Sequence, residues 1–197
     1  MARLAHSIAR HLTLLASAGG VIGVAAMAQA AQITPPAGCE AFLTVQSRGC
    51  MVSHYWTCEG DAAGEHWRLS LDVDGPMSLS HTDREFRWLE SLDLRTGLRS
   101  RLVQPEIDPA SLSELLETGR DSFTFSLSVS EGDAPFTRDY SGFDALTGDT
   151  VEIDGEVLAR TEFAYTETPP DGARSTVGNQ YVSPSLRMFF GGTETLT

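Results

Sequence analysis

The residues best suited to covalent chemistry are three cysteines, Cys39, Cys50 and Cys58, which lie close together in the chain. If the segment between them is a β-hairpin centred between Arg48 and Gly49, Cys39 lies directly opposite Cys58, at a Cα separation that a disulfide spans. We therefore predict a Cys39–Cys58 disulfide and a free thiol at Cys50, near the turn. Without a hairpin, pairing of Cys50 with either of the other two stays open.

The hairpin hypothesis also predicts a register. Arg-Gly is a weak pair for a two-residue turn, so a four-residue turn over 47–50 is an equally good model, and it keeps the same register. The predicted inner pairs are Ala41 with Trp56, Leu43 with His54, and Val45 with Val52.

The other side chains that catalyse reactions or bind metals form no recognisable motif. Beyond residue 30 the chain holds three histidines, His54, His66 and His81. Cys50 and His54 are four positions apart, a spacing of about 13 Å on a strand, so they make no metal site. Zinc-ligand spacings, a nucleophile elbow and a glycine-rich phosphate loop are all missing from the sequence. We expect no catalytic, cofactor or metal site, with a hydrolase built from dispersed Ser, His and acid residues as an alternative.

Two acidic pairs resemble fragments of calcium loops. They are Asp72 with Asp74, and Glu152 with Asp154, each pair followed by glycine. Neither completes the twelve-residue calcium-binding pattern with its terminal glutamate. Solvated turns at strand ends explain both pairs.

The first thirty residues have the pattern of an export signal. Arg3 and Arg10 form a positive segment, residues 12–27 are mostly apolar, and residues 28–30 read Ala-Gln-Ala, a small-x-small cleavage site. We predict a signal peptide over 1–30, a proline-containing linker over 31–38 and one β-rich domain over 39–197. The expected location is the periplasm or the exterior, without stable membrane insertion after cleavage.

The charge of the chain restricts its partners. The chain contains 14 basic and 27 acidic residues, which gives a formal net charge of −13 at pH 7. Nucleic acids and anionic membrane surfaces repel such a field. The expected partner is an envelope protein or an apolar ligand.

Alternating apolar and polar residues predict a mainly β fold. Residues 67–73 and 121–130 alternate with the period of a half-buried strand, and Asp154-Gly155 is a strong hairpin turn. One short helix is predicted, beginning at Asp108-Pro109 or at the capping box over 111–114, and ending at Gly119. We predict a strongly curved antiparallel sheet of about ten strands, a half-barrel or open barrel, with this helix against it.

Large aromatic side chains occupy the apolar positions of the alternating pattern in the predicted strands. Trp67, Phe123, Phe125 and Phe163 are expected on the concave face of the sheet. There they either line an apolar ligand cavity or pack as an ordinary core, and the sequence leaves both interpretations open.

The C-terminal third carries a weak family resemblance. A strand into Asp154-Gly155, a long strand, a glycine-bearing turn and the segment Tyr181-Val-Ser-Pro-Ser-Leu-Arg187 resemble β-rich periplasmic proteins of Gram-negative bacteria, including the half-barrel lipoprotein carriers. The disulfide hairpin is not part of the carrier pattern. The resemblance implies a curved antiparallel sheet that holds an acyl chain. Our prediction for the function is a non-enzymatic envelope scaffold or adaptor. An apolar-ligand carrier, which the resemblance implies, is the alternative.

Overall fold

The structure, a computed structural model, describes residues 33–131 and 134–197. The signal peptide predicted over residues 1–30 lies outside these described residues. Residues 33–38 of the predicted linker are described and form neither strand nor helix. Within the described part of the chain, no helix is long and apolar enough to cross a membrane.

The described residues form eleven strands and one helix. In chain order these are β1 (Cys39–Ser47), β2 (Met51–Cys58), β3 (His66–Asp72), β4 (Gly75–Thr82), β5 (Trp88–Asp93), β6 (Arg99–Leu102), α1 (Leu112–Thr118), β7 (Arg120–Glu131), β8 (Ala134–Ile153), β9 (Glu156–Thr168), β10 (Arg174–Ser183) and β11 (Met188–Leu196).

Each strand pairs with the strand that follows it, so the sheet is one antiparallel meander in sequence order. The sheet curls into a nearly closed, barrel-like structure. Within the described residues, no pairing between β1 and β11 joins its two edges. The prediction of a strongly curved antiparallel sheet with one short helix is confirmed, with eleven strands instead of about ten.

The boundaries predicted for the longest strand, β8, are wrong. Residues 144–149, Asp-Ala-Leu-Thr-Gly-Asp, predict a loop between two strands. The structure runs β8 straight through it and accommodates the extra residues by a register shift against β9 between Leu146 and Thr150. Gly148 has φ = +86°, a backbone angle that glycine adopts without strain. A bulge therefore replaces the predicted loop.

The N-terminal hairpin keeps its predicted register only at its open end. The predicted partners of Cys39 and Ala41 are correct. A shift between Ala41 and Leu43 then moves β1 by one residue, so Leu43 lies opposite Tyr55 and both predicted inner pairs beyond the shift are wrong. The turn contains three residues, 48–50, because residue 47 already pairs with residue 51.

The predicted disulfide is confirmed. Cys39 and Cys58 are bonded, with a Cα separation of 4.0 Å, and Cys50 is an exposed free thiol. Structural disulfides persist in oxidising compartments and are rare in the cytosol. The bond therefore indicates a location outside the cytoplasm.

Helix α1 is set by its caps. Ser111 is the N-cap, with its hydroxyl accepting a hydrogen bond from the Glu114 backbone N–H, and Gly119 ends the helix with φ = +88°. The capping-box start is therefore correct, and the start at Asp108-Pro109 is not. Leu112 and Leu115 are buried, so this helix packs one apolar face onto the sheet.

Two apolar clusters hold the fold together. The first consists of Leu112, Leu115 and Val182, and joins α1 to β10. The second consists of Leu127, Val129 and Tyr140, and joins β7 to β8. Members of both clusters line the same interior cavity, so the cavity lies between them.

Candidate functional site

The concave side of the sheet lines a partly open cavity of about 650 Å³. Its lining comes from β3, from β5 to β11, from α1, and from the segments that precede β5 and α1. Most of the barrel-like sheet therefore faces this one space. Its lining combines aromatic rings with charged side chains.

Five aromatic rings on three adjacent strands form one continuous surface of the cavity, here called the aromatic wall. They are Phe123 and Phe125 on β7, Tyr140 on β8, and Phe163 and Tyr165 on β9. Ring centroids are 5.1 Å apart for Phe125 and Tyr140, 6.1 Å for Tyr140 and Tyr165, and 5.9 Å for Phe163 and Tyr165. These separations are typical of favourable aromatic contacts.

Two glycines make room for the aromatic wall. Gly142 lies between Phe123 and Tyr165 in the register, and a Cβ there would lie 2.6 Å from the Tyr165 Cβ. Gly178 lies opposite Phe163, where a Cβ would lie 2.8 Å from the ring Cζ. The closest atoms are backbone oxygens of the neighbouring strands, Ala164 O at 2.4 Å from a Cβ at residue 142 and Thr193 O at 2.2 Å from a Cβ at residue 178. Real Cβ atoms do not approach so closely, so both positions require glycine.

Three of the four residues predicted for an apolar cavity, Phe123, Phe125 and Phe163, line this cavity. Trp67 does not line it. Its β3 neighbour Arg68 faces the cavity, and successive strand residues point to opposite faces, so Trp67 lies on the outer face. There Trp67 donates from Nε1 to Asp61, in the loop over residues 59–65, at 2.9 Å. The predicted inward phase of this strand is therefore wrong, and the hydrogen bond to Asp61 holds the Trp67 ring on the outer face.

The cavity also contains two carboxyl groups that sequence reasoning missed, here called the acid pair: Asp121 on β7 and Asp144 on β8. They are direct cross-strand partners and both line the cavity. Asp121 and Phe123 are two residues apart on one strand and so share a face of the sheet, a pattern that could have identified Asp121 as a cavity residue. Asp144 carries no such signal, because its segment resembles a loop.

Asp121 is nearly fully buried, with 4% of its surface exposed. Its Oδ2 accepts a hydrogen bond from the Ser111 backbone N–H at 2.9 Å, whereas its Oδ1 is buried without a hydrogen-bond partner. The pKa of Asp121 is raised to about 6, and burial is the main cause. The nearby carboxylates Glu114, Asp108 and Glu85 also raise this pKa, whereas the Ser111 hydrogen bond lowers it.

Asp144 has a matching environment on the next strand. Its Oδ1 accepts a hydrogen bond from Gln180 Nε2 on β10 at 2.8 Å. Burial raises the pKa of Asp144 to about 6, the Gln180 hydrogen bond opposes this shift, and the charge of Asp121 adds to it. At neutral pH the acid pair is therefore ionised in surroundings that disfavour its charge.

Most other charges in the cavity are neutralised by ion pairs. Arg138 lies 3.0 Å from Glu167, and Arg87 lies 2.9 Å from Glu106. Arg68 has no ion-pair partner among the described residues, and its Nε is buried without a hydrogen bond. Arg68 is on β3, far from the acid pair in strand order. Among the described residues, the charged side chains of the lining that have no ion pair are therefore Arg68 on β3 and three carboxylates, Asp121, Asp144 and Glu194.

The histidines lie in three different surroundings. His54 Nδ1 is 3.0 Å from Thr44 Oγ1, and the buried His66 Nε2 is 2.9 Å from Thr82 Oγ1. Burial lowers the pKa of His66. In the described residues, none of the three histidines contacts both a serine hydroxyl and a carboxylate, the arrangement that the dispersed hydrolase needs.

His81 belongs to a cluster on the outer face. Its Nε2 lies 3.2 Å from Glu65 Oε2 and 4.0 Å from Asp61 Oδ2, and its ring stacks on Trp67 at a centroid distance of 4.2 Å. One imidazole and two carboxylates within 4.8 Å are a donor set that divalent cations accept. Within the protein, these contacts hold the loop over residues 59–65 against the sheet.

Searches of protein-family models, of curated proteins and of solved structures find no match to this chain. The geometry of the cavity therefore carries the functional argument.

Replacing Asp144 by asparagine is expected to stabilise the protein at neutral pH. The pKa of Asp144 is raised from 3.8 to about 6, so the folded state binds this proton more tightly, and stability falls as the pH rises from about 4 to about 6. Asparagine keeps a carbonyl acceptor for Gln180. We expect a gain of roughly 1–2 kcal/mol at pH 7.5 and a change near zero at pH 4, measured by urea denaturation.

The matched control for this substitution is Asp139→Asn, on the outer face of the same strand, where the side chain is exposed. We expect it to give no comparable gain at pH 7.5. Equal effects of Asp144→Asn at both pH values would contradict the proposed cost of ionising the acid pair.

Proposed function

We propose that this protein binds a small, largely apolar ligand in the cavity of its barrel-like sheet and carries it in an oxidising compartment. The observation that supports this function is the aromatic wall inside a cavity of about 650 Å³. Ligand-binding cavities commonly measure roughly 300–1,000 Å³ and combine apolar walls with a few polar groups. The cavity agrees in size and in chemistry.

The position of the aromatic wall also favours ligand binding over a packed core. Its rings adjoin an interior space flanked by the two apolar clusters. Phe123, Phe125, Phe163 and Tyr165 are half-buried, whereas Leu115 and Val129 in the clusters are fully buried. A bound apolar group would remove the exposed ring surface from water, which is favourable by about 25 cal/mol per Å².

The compartment that we propose is the periplasm. The disulfide supports an oxidising location, and the pattern of residues 1–30 supports export through a cleaved signal peptide. A carrier there would shield an apolar molecule from water between membranes.

The test is binding of a neutral apolar dye, N-phenyl-1-naphthylamine, followed by its fluorescence. We expect the protein, purified from a periplasmic fraction without reductant, to bind the dye, and Phe163→Leu to weaken binding about fivefold through loss of aromatic contact. The matched control is Phe143→Leu, the same change on β8, where the neighbours Gly142 and Asp144 face inward and Phe143 therefore faces outward. A folded protein that does not bind the dye would overturn the carrier function.

A scaffold or adaptor is the second candidate. The two edge strands, β1 and β11, do not pair with each other in the described residues, and unpaired edges accept strands from partner proteins. A scaffold could also use an exposed apolar patch, but the apolar surface near residues 186–190 is small. Leu186 is 39% exposed, whereas Phe189 packs against the first apolar cluster. A protein that binds no dye but captures an envelope protein through an edge strand would favour this candidate.

A further inference from the structure

The acid pair lies at one border of the aromatic wall. Along the register from β7 to β11, Asp121 lies opposite Asp144, Asp144 opposite Phe163, Phe163 opposite Gly178, and Gly178 opposite Glu194. Asp121, Asp144, Phe163 and Glu194 all line the cavity. The row therefore places an aromatic ring between the acid pair on one side and a third carboxylate on the other.

We infer that the ligand carries a positive charge, and that its protonated amine or quaternary ammonium group binds between the acid pair and Phe163. This inference rests on the proposed carrier function. It names the chemical class of the ligand, an amphipathic organic cation. Aromatic faces attract such groups through their negative electrostatic potential, and a carboxylate adds a counter-charge.

One oxygen atom of the acid pair accepts no hydrogen bond from the described residues. Asp121 is almost completely buried, yet its Oδ1 accepts no hydrogen bond from the described residues. A buried acceptor without a donor is costly, and most such groups in proteins are satisfied by a neighbour, water or a ligand. A protonated amine in the adjoining cavity supplies both a donor and a positive charge, and a quaternary ammonium group supplies the positive charge alone.

The charges around the acid pair exclude an anionic group at this position. The charged groups close enough to raise the pKa of Asp121 are the carboxylates Glu114, Asp108 and Glu85. Glu85 is paired with Arg187 at 3.0 Å. On the other side, Asp144 is contacted by the uncharged Gln180. Arg68, the basic group without an ion-pair partner in the described cavity lining, is on β3, which does not pair with either strand of the acid pair.

The test compares three ligands that share a decyl chain: decyltrimethylammonium, 1-decanol and decanoate. Titration calorimetry is done at pH 7.5, on the protein purified from a periplasmic fraction with its disulfide intact. We expect the cation to bind about tenfold more tightly than the alcohol, and decanoate to bind most weakly. Asp144→Asn is expected to reduce the ratio of cation to alcohol affinity, whereas Asp139→Asn, on the outer face of β8, leaves that ratio unchanged.

The ratio is also expected to fall between pH 7.5 and pH 5, because protonation removes the charge of the acid pair, whose pKa values are about 6. Equal affinities for the cation and the alcohol would overturn the cation inference and leave the carrier function standing. Tightest binding of decanoate would overturn it as well and would place the head group at Arg68. Failure of all three ligands to bind a folded protein would overturn the carrier function itself.

Discussion

Removing the disulfide by the double substitution Cys39→Ser and Cys58→Ser is expected to lower the free energy of unfolding by about 3 kcal/mol. The bond joins positions separated by 19 residues, so its loss enlarges the unfolded ensemble by freeing a loop of that size. Strand β1 depends on this constraint because it is an edge strand with β2 as its one neighbour and with mostly exposed side chains. Guanidinium or thermal denaturation without reductant measures the change.

The control for this prediction is Cys50→Ser. Cys50 is an exposed free thiol in the turn of the same hairpin, so its replacement should change stability by less than about 0.5 kcal/mol. A reducing agent should bring the stability of the native protein close to that of the double variant. If the double variant unfolds at the same denaturant concentration as the native protein, the disulfide is not a source of stability.

Substituting Leu115 by alanine is expected to lower the free energy of unfolding by about 3 kcal/mol. Leu115 is 1% exposed and packs with Leu112 and Val182 in the cluster that joins α1 to the sheet. Truncation removes buried methyl groups and leaves a cavity that the rigid sheet closes only in part. Chemical denaturation followed by tryptophan fluorescence measures the loss.

The same leucine-to-alanine substitution at an exposed site is the control for this stability change. Leu94 is 42% exposed, and Leu94→Ala should cost well under 1 kcal/mol. The N-cap Ser111 of α1 also donates to Asp121, so detachment of the helix in Leu115→Ala should weaken ligand binding as well. A Leu115→Ala protein as stable as Leu94→Ala would show that α1 contributes little to the fold.

The features that the sequence predicts most reliably are local. The β7 strand follows from strict alternation over residues 121–130, and the ends of α1 follow from a capping box and a glycine. Both depend on neighbours a few positions away, because backbone geometry and capping hydrogen bonds act at short range. The Cys39–Cys58 pairing is also correct, but it needs the register shift between Ala41 and Leu43, because the observed turn over 48–50 would otherwise place the two cysteines one position out of register.

The errors arise where the assembled sheet decides which face of a strand is inward. Trp67 lies in a strand that alternates as predicted, yet it is on the outer face, where it donates a hydrogen bond to Asp61 of the loop over residues 59–65. Alternation shows that two faces differ, but it does not show which face meets the interior. Arg68 therefore occupies the cavity where sequence reasoning placed the tryptophan.

By itself, the sequence determined the strand alternation and the helix caps, since these result from spacing and local backbone preference, and it predicted a curved sheet. Tertiary structure alone decided that the concave face borders a cavity, that Tyr140 and Tyr165 complete the aromatic wall, and that Asp121 and Asp144 face each other inside it. The physical reason is that curvature, a bulge in β8 and the docking of α1 bring together residues from separate strands. Their burial and charge interactions exist only once those strands are assembled.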